Sequence, residues 1–390
     1  MTMQTDVPAC VPVEVTDPIN SRILEVSEDR IQGSVAESFA EISRLSGVDL
    51  PTVLERIRAM LAAGTIRRVR QTLLATNLAP GALVAWQVPQ ERLDEAFTYM
   101  FREDPFSGHV VIRSTDAETR GSKYKLWTTV KVPQGFSLAR HCEVLRARVG
   151  AEAFKLLPAK ALFTLGVGHV RRRGMEPGSR TDTPGDVVDT RIVELGELEW
   201  RVLVPLKREF EVEEIRENPW AARAEGAGVP LEEFLRVARS LNERGVIGRF
   251  STFLEHVKPS ATGHRVTRYN ALFHWRVPAG REMEAGREVA RHHVMTHAYW
   301  REGGPEFAGV NIMGVAHGTE KEMVLAHKAA IDAHLEEAGI PVDYTNVFWG
   351  GRSEIKPSEI APSEYLKWCE RAGVDPESMR AAADEPVAAA

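Results

Sequence analysis

Gly64-Thr65-Ile66-Arg67-Arg68 recurs as Gly245-Val246-Ile247-Gly248-Arg249, and each phrase closes an amphipathic helical stretch. About twenty to thirty residues on, each copy enters an apolar run ending Trp-x-Val-Pro: Trp86-Gln87-Val88-Pro89 and Trp275-Arg276-Val277-Pro278. The offset is 181 residues at the glycine and 189 at the tryptophan, so the second copy carries eight extra residues, expected around Gly263 to Tyr269. Two diverged copies of one two-part unit make a built-in pseudo-dimer, in which one copy can hold a site while the other frames it.

Upstream of the first phrase, Asp17-Pro18 has the form of an N-cap followed by proline at the first helical position. Phe39 to Leu45 repeats apolar residues at helical spacing, and Leu50-Pro51 opens Val53-x-x-x-Ile57-x-x-Met60-Leu61, stopped by Gly64. Three helices and a β-branched, Arg-rich strand spell a winged helix-turn-helix. The second copy repeats it with helices expected over 187–207, 212–216 and 231–244. Downstream the period changes. Strands are expected over 82–88, 110–114, 126–132 and 154–165 with helices over 90–102 and 137–149. The second copy gives strands over 271–277, 295–300, 310–316 and 342–349 with helices over 280–293 and 320–338. Strand-helix-strand-strand-helix-strand is the ferredoxin-like motif. The expected fold is therefore α+β, a tandem repeat of winged helix-turn-helix plus ferredoxin-like domain. The segments are 17–78 and 79–170 for the first copy, an exposed linker at 171–186, 187–262 and 263–352 for the second copy, and a tail at 353–390 holding one short helix.

With 390 residues and 43% apolar composition, the chain has enough material for several cores. A net charge of -6 removes any whole-protein case for nucleic-acid binding. Cys10, Cys142 and Cys369 are odd in number and far apart, which offers no disulfide framework and fits a reducing cytoplasm. No apolar run approaches the ~18–20 residues of a membrane span, and residues 1–19 lack a basic or apolar leader, so a cytoplasmic protein without membrane contact is expected. Only 11 of the 49 basic residues are lysine, an arginine bias that suits planar forks for carboxylates as well as it suits GC-rich coding.

His297, Tyr299 and Arg301 alternate along an expected strand and so share one face. Buried together they would each need a partner, which favours a ligand site over a dry core. His317 ends the neighbouring strand beside Gly318, where a backbone can approach a flat ligand. Histidine exchanges a proton near neutral pH and also ligates haem iron. Residues 292–334 hold six of the 12 histidines, none in an HExxH pattern. No metal site is expected, and His292, His327 and His334 are read as surface residues. In the first copy, Arg113 precedes Lys125 and Trp127, a cation beside an aromatic plane on one strand face. Arg67, Arg68 and Arg70 would meet phosphate in a DNA reader. The matching helix of the second copy, however, opens Pro230-Leu231-Glu232-Glu233, so DNA is not the expected partner.

Ile57-Arg58-Ala59-Met60-Leu61-Ala62-Ala63-Gly64-Thr65-Ile66-Arg67-Arg68 resembles the end of the third helix and the wing in the leucine-responsive regulator (Lrp/AsnC) family. A sharper resemblance is to the siroheme decarboxylases, which carry Gly-x-Ile-x-Arg at the wing, a phrase like His-Cys-Tyr-x-Arg in the second ferredoxin strand and Met-x-His-Gly in the third. Here Gly245-Val246-Ile247-Gly248-Arg249, His297-Ala298-Tyr299-Trp300-Arg301 and Met313-Gly314-Val315-Ala316-His317-Gly318 stand in that order over roughly residues 20–350. Ala298 replaces the family's cysteine, and the histidine of the third phrase lies further from its methionine.

The resemblance implies an enzyme that removes acetate carboxyl groups of siroheme as carbon dioxide in alternative haem or haem d1 synthesis. No cofactor would be needed beyond the iron tetrapyrrole substrate. It implies His297 and His317 as candidate proton donors. Arg249 and Arg301 are the candidate carboxylate clamps, Tyr299 a positioning hydrogen bond, and Arg113, Lys125 and Trp127 the first copy's substrate contacts. A DNA-binding regulator and a tetrapyrrole sensor without turnover are the alternatives. Self-association beyond the internal pseudo-dimer stays open.

Overall fold

The computed structural model describes residues 11–33, 36–74, 77–163, 175–188, 193–254 and 268–382. Cys10, Arg265, residues 171–174 of the expected linker and nearly all of the expected insertion lie outside them. Two compact units result. One is built from residues up to Leu73 and from 197–254, and the other from 74–163, 175–188, 193–196 and 268–382.

The first copy begins with α1 (Pro18–Ser27), the short strand β1 (Ile31–Gln32), α2 (Ser38–Ser46), α3 (Leu50–Ala62) and β2 (Ile66–Leu73). The Asp17 carboxylate accepts hydrogen bonds from the first free amides of α1, those of Ile19 and Asn20. Gly64 turns α3 into β2 at φ 75°, a conformation that a side chain would strain. There follow β3 (Gly81–Gln87), α4 (Leu93–Arg102), β4 (Ser107–Thr115), β5 (Leu126–Lys131), α5 (Leu138–Val149) and β6 (Ala153–Leu157). The single strand expected over 154–165 is two: Pro158 has no N–H to give a ladder, and the chain resumes as β7 (Ala159–Phe163).

After β8 (Val187–Val188), the second copy starts its first helix, α6 (Glu197–Lys207), ten residues later than expected. The helix expected over 212–216 is one 3-10 turn at Val212–Glu214, and α7 (Ala221–Gly226) stands after it. The cause is Arg223, buried on α7, whose fork donates to the carbonyls of Pro205, Arg208 and Glu209 and pairs with Glu214 at 3.1 Å. Those carbonyls are free only if the chain between α6 and α7 stays non-helical. Then come α8 (Leu231–Glu243), β9 (Ile247–Leu254), β10 (Tyr269–Arg276), α9 (Glu282–Ala290), β11 (Met295–Arg301), β12 (Ile312–Gly318), α10 (Lys321–Glu337), β13 (Tyr344–Ile355) and α11 (Pro362–Ala372).

In the helical unit the strands that the two repeated phrases open pair with each other. β2 and β9 run antiparallel with Val69 opposite Thr252, and β1 flanks β9. The other unit carries one ten-stranded sheet, β6-β3-β5-β4-β13-β10-β12-β11-β7-β8. Each copy contributes a ferredoxin-like quartet in the same order, β6-β3-β5-β4 and β13-β10-β12-β11, joined where β4 meets β13. Because β6 and β7 are separated by Pro158 alone yet lie toward opposite ends of that order, the sheet curls back so that the quartets face one another. Their facing sides share a core of Ala85, Val111, Trp127 and Leu157 from one copy and Leu272, Met313 and Phe348 from the other. The outer sides are covered by helices. α11, placed in the expected tail, buries Tyr365, Trp368 and Cys369 against Phe106, Phe136 and His141, so it belongs to the first copy's core. The described part of the expected exposed linker is also held in place. Arg291 at the end of α9 donates to the carbonyls of Thr181 and Asp182, and Ser179 accepts from the amide of His293.

Candidate functional site

Along a strand, alternate residues share a face, and residues paired across a ladder point the same way. Leu272 and Met313 face the inter-sheet core, so Asn270 and His317 do too, and so do Tyr299 opposite Met313 and His297 opposite Val315. Val111 places Arg113 on that same side. Arg113, Gly350, Asn270 and His317 are successive partners across β4, β13, β10 and β12. They form one lateral row on the inner face.

Gly350 makes the row continuous, since a Cβ there would lie 3.2 Å from the Asn270 side chain. Across that gap Arg113 Nη1 donates to Asn270 Oδ1 at 3.1 Å and to the Phe348 carbonyl at 3.2 Å. Asn270 Nδ2 lies 2.9 Å from His317 Nε2. A guanidinium can only donate, so Asn270 must turn its oxygen to Arg113 and its amide to His317. The Nε2 atom therefore accepts, and the proton of neutral His317 sits on Nδ1. Sequence reading assigned Arg113 to the first copy's own half. The structure instead joins it to the second copy's histidine, because β4 adds to the edge of the second quartet.

Arg113 is buried, with no carboxylate partner among the described residues, and burial lowers its pKa to about 9. That cation, together with burial, acts on His274, whose pKa falls to about 3 through desolvation first and Arg113 second. His274 is thus neutral at physiological pH. On β11, the His297 and Tyr299 rings stack at 5.9 Å and 5°. The Arg301 guanidinium lies 4.3 Å from the Tyr299 ring and donates to the Leu157 carbonyl. Arg301 is buried, and desolvation lowers its pKa while raising that of Tyr299.

Trp127 and Lys125 make contacts outside this row. Trp127 is fully buried, donates to the Tyr124 carbonyl and packs on Phe307 and Phe348. It is core, correcting its reading as a substrate contact. Lys125 Nζ donates to Gln90 Oε1 at 2.8 Å at an exposed position. Arg249 belongs to the helical unit, where its guanidinium lies 6.0 Å from the Phe253 ring, with Arg68 and Arg70 at 5.4 and 5.3 Å.

The histidines read as surface residues are another correction. His292, just after α9, and His327 and His334, on α10, are buried, with His334 Nε2 2.6 Å from Glu288 and the His292 and His334 rings 5.1 Å apart. Burial, then the neighbouring cations, holds His292 down at about 3. Among the described residues no group of three or more His, Cys, Asp or Glu is arranged to hold a metal. Because His274 and His292 sit far below the ordinary histidine value of about 6.5, the unfolded chain binds protons that the folded one refuses. Their stabilisation is complete above about 6.5 and lost as pH falls toward 3. Urea midpoints at pH 7 and pH 5 should therefore separate in the parent and draw together in His274→Leu; an unchanged gap in the variant would count against His274 as a source.

Two hollows went unseen in the sequence. One of about 220 Å³ is lined by Thr119, Arg120, Gly121, His274, Phe307, Tyr344, Asn346 and Phe348. The other, about 480 Å³, shares Thr119 and Arg120 and adds Lys123 and Glu306. Aromatic walls with a cationic rim are suited to a flat anionic ligand. The β10–β13 register sets His274 beside Asn346, whose strand also carries Tyr344 and Phe348, and the segments 119–123 and 305–308 supply the rest, so no local motif marks them.

Residues 79–164 match the model of the AsnC-like ligand binding domain. The chain is 25% identical over 295 residues to a siroheme decarboxylase of Hydrogenobacter thermophilus, covering 74% of this chain and 80% of that protein. It is 34% identical over 84 residues to a siroheme decarboxylase beta subunit of Oleidesulfovibrio alaskensis, 22% of this chain and 49% of that subunit. The fold is shared with the solved siroheme decarboxylase NirDL at a TM-score of 0.63 and 20% identity, over 90% of this chain and 97% of that one. NirDL in co-complex with an iron-uroporphyrin III analogue gives 0.62 at 20% identity, over 91% and 98%.

Proposed function

We infer, from the premise that this chain belongs to the siroheme decarboxylase family, that it removes carboxyl groups from acetate side chains of siroheme, giving didecarboxysiroheme for alternative haem or haem d1 synthesis. The observation that carries this reading is the inner sheet face, where two buried guanidiniums without carboxylate partners among the described residues share a surface with His297, Tyr299, Asn270 and His317. A buried cation left without an anion is costly, and a substrate carboxylate offsets that cost.

Loss of carbon dioxide from a pyrrole acetate replaces the C–COO⁻ bond by C–H, so one proton must be supplied for each carboxylate lost. A proton placed on a ring carbon lets the ring system accept the electron pair of the breaking bond; the exocyclic methylene so formed then takes up a proton as the ring carbon releases its own, leaving a methyl group and a net uptake of one proton. The protein has three tasks: donate that proton, hold the other carboxylates and keep the site dry. His297 is assigned the donor, since His274 is held neutral and His317 Nε2 is occupied as an acceptor from Asn270. His317 donates from Nδ1 to orient a carboxylate, Arg113 and Arg301 clamp carboxylates, and Tyr299 positions His297.

We read the helical unit as paired winged helix-turn-helix motifs that have left DNA binding. Arg68 is buried on Glu209 at 3.1 Å, Arg70 and Arg249 gather at Phe253, and Glu232 and Glu233 open α8. No helix among the described residues is long and apolar enough to cross a membrane, and the cytoplasm is the compartment proposed. Incubated anaerobically with siroheme and no added nucleotide or metal, the protein should yield species lighter by one and then two carbon dioxides in mass spectrometry. Unchanged siroheme under saturating binding would leave a sensor, and no spectral change at all would remove both tetrapyrrole readings and leave the regulator.

A further inference from the structure

The two quartets are register equivalents, so each inner-face position has a counterpart. Ala85 and His274 correspond through Trp86 and Trp275, and their ladder partners Trp127 and Met313 correspond in turn. Val111 opposite Trp127 then matches Tyr299 opposite Met313, and Arg113 matches Arg301. The match extends to their contacts, because Arg113 donates to the Phe348 carbonyl and Arg301 to that of Leu157, which are themselves counterparts beside Leu272 and Leu83. Continuing the row, Gly81 stands for Asn270 and Lys131 for His317.

The second row is therefore Arg301, Ala159, Gly81 and Lys131. Its chemistry differs. Where Asn270 offers Arg113 an oxygen, Gly81 offers nothing, and the Lys131 chain lies across it, with Cγ 2.7 Å and Nζ 3.4 Å from where a Cβ would stand. No carboxylate among the described residues comes within ion-pair distance of Lys131 or Arg301, and the two cations repel. Burial, followed by Arg301, brings Lys131 down to about 7. Lys131 keeps part of its residue surface exposed.

We propose that Lys131 and Arg301 form a second carboxylate receptor on the inner sheet face, which anchors a carboxylate of the ligand rather than reacting with it. The proposal deepens the decarboxylase reading and rests on it for the identity of the ligand. Arg301 has the Tyr299 side chain as a neutral partner, and the anion would add the charged acceptor that the described residues of this row do not supply. A lysine ammonium and a guanidinium converging on one carboxylate give charge-assisted hydrogen bonds from two directions.

Siroheme, followed by its visible spectrum, and trimesate, a rigid tricarboxylate followed by thermal unfolding, separate the two claims. Trimesate should raise the melting temperature of the parent and of Lys131→Arg but not of Lys131→Met, a variant that relieves a repulsion and so should fold. Siroheme affinity should fall about ten- to a hundredfold in Lys131→Met and recover in Lys131→Arg. Parent-like responses of Lys131→Met to both ligands, or no response of the parent to trimesate, would overturn the receptor. A parent that responds to trimesate through Lys131 yet neither binds nor converts siroheme would keep the receptor and sink the decarboxylase.

Discussion

His297→Ala is expected to lower the decarboxylation rate by about 10²–10⁴, the usual contribution of a positioned general acid, while siroheme still binds and still changes the spectrum. The size of the effect follows from the shortage of alternatives on the inner face. His274 is held near 3 by burial and Arg113, so at neutral pH it is the imidazole and not the imidazolium that a general acid needs. His317 points its unprotonated nitrogen at Asn270. His109, the counterpart of His297 in the first copy, is tied to Ser353 at 2.9 Å. Among the described histidines of the inner face, His297 has an exposed ring stacked on Tyr299, which fixes its plane. Single-turnover mass spectrometry separates the step from binding. Parent-rate turnover by folded His297→Ala would transfer the proton-donor role elsewhere, whereas loss of the spectral change would make His297 a binding residue.

Much of the fold was legible because it rests on local signals. Asp17-Pro18, Gly64 and Gly245 mark helix ends by backbone chemistry that needs no tertiary context, and the ferredoxin-like period shows twice. The misread places are those where a distant partner decides. Pro158 breaks one strand into two because the halves pair with different quartets, and Arg223 trades a helix for a web of carbonyl contacts. α11 looks like a tail until Phe106 and His141 are seen to need covering. The site divides the same way. Alternation along β11 put His297, Tyr299 and Arg301 on one face. No pattern within either copy could join Arg113 to His317, since that join depends on which strand β4 meets. The inner faces of β5 and β12 also look alike to a periodicity argument, which cannot tell that the facing quartet fills the space around Trp127.

Arg113→Met should cost more than a substitution in a mere framing copy, about ten- to a hundredfold in kcat/KM, because it removes a donor to a buried acceptor that in turn orients His317. With the guanidinium gone, nothing obliges Asn270 to present its amide rather than its oxygen, and His317 can then carry its proton on either nitrogen. The variant also deprives a substrate carboxylate of a desolvated cation. Nitrogen NMR of the imidazole distinguishes these effects: the parent should show His317 protonated on Nδ1, and Arg113→Met a mixture of tautomers. Asn270→Leu should reproduce the tautomer mixture while retaining the charge. Arg113→Lys keeps a cation able to reach one acceptor but loses the fork, so it should recover part of the rate. If Arg113→Met keeps both the parent kcat/KM and a single Nδ1 tautomer, the row across β4, β13, β10 and β12 serves packing alone. If kcat/KM falls while the tautomer is unchanged, Arg113 acts on the substrate directly, and Asn270 holds His317 without its help.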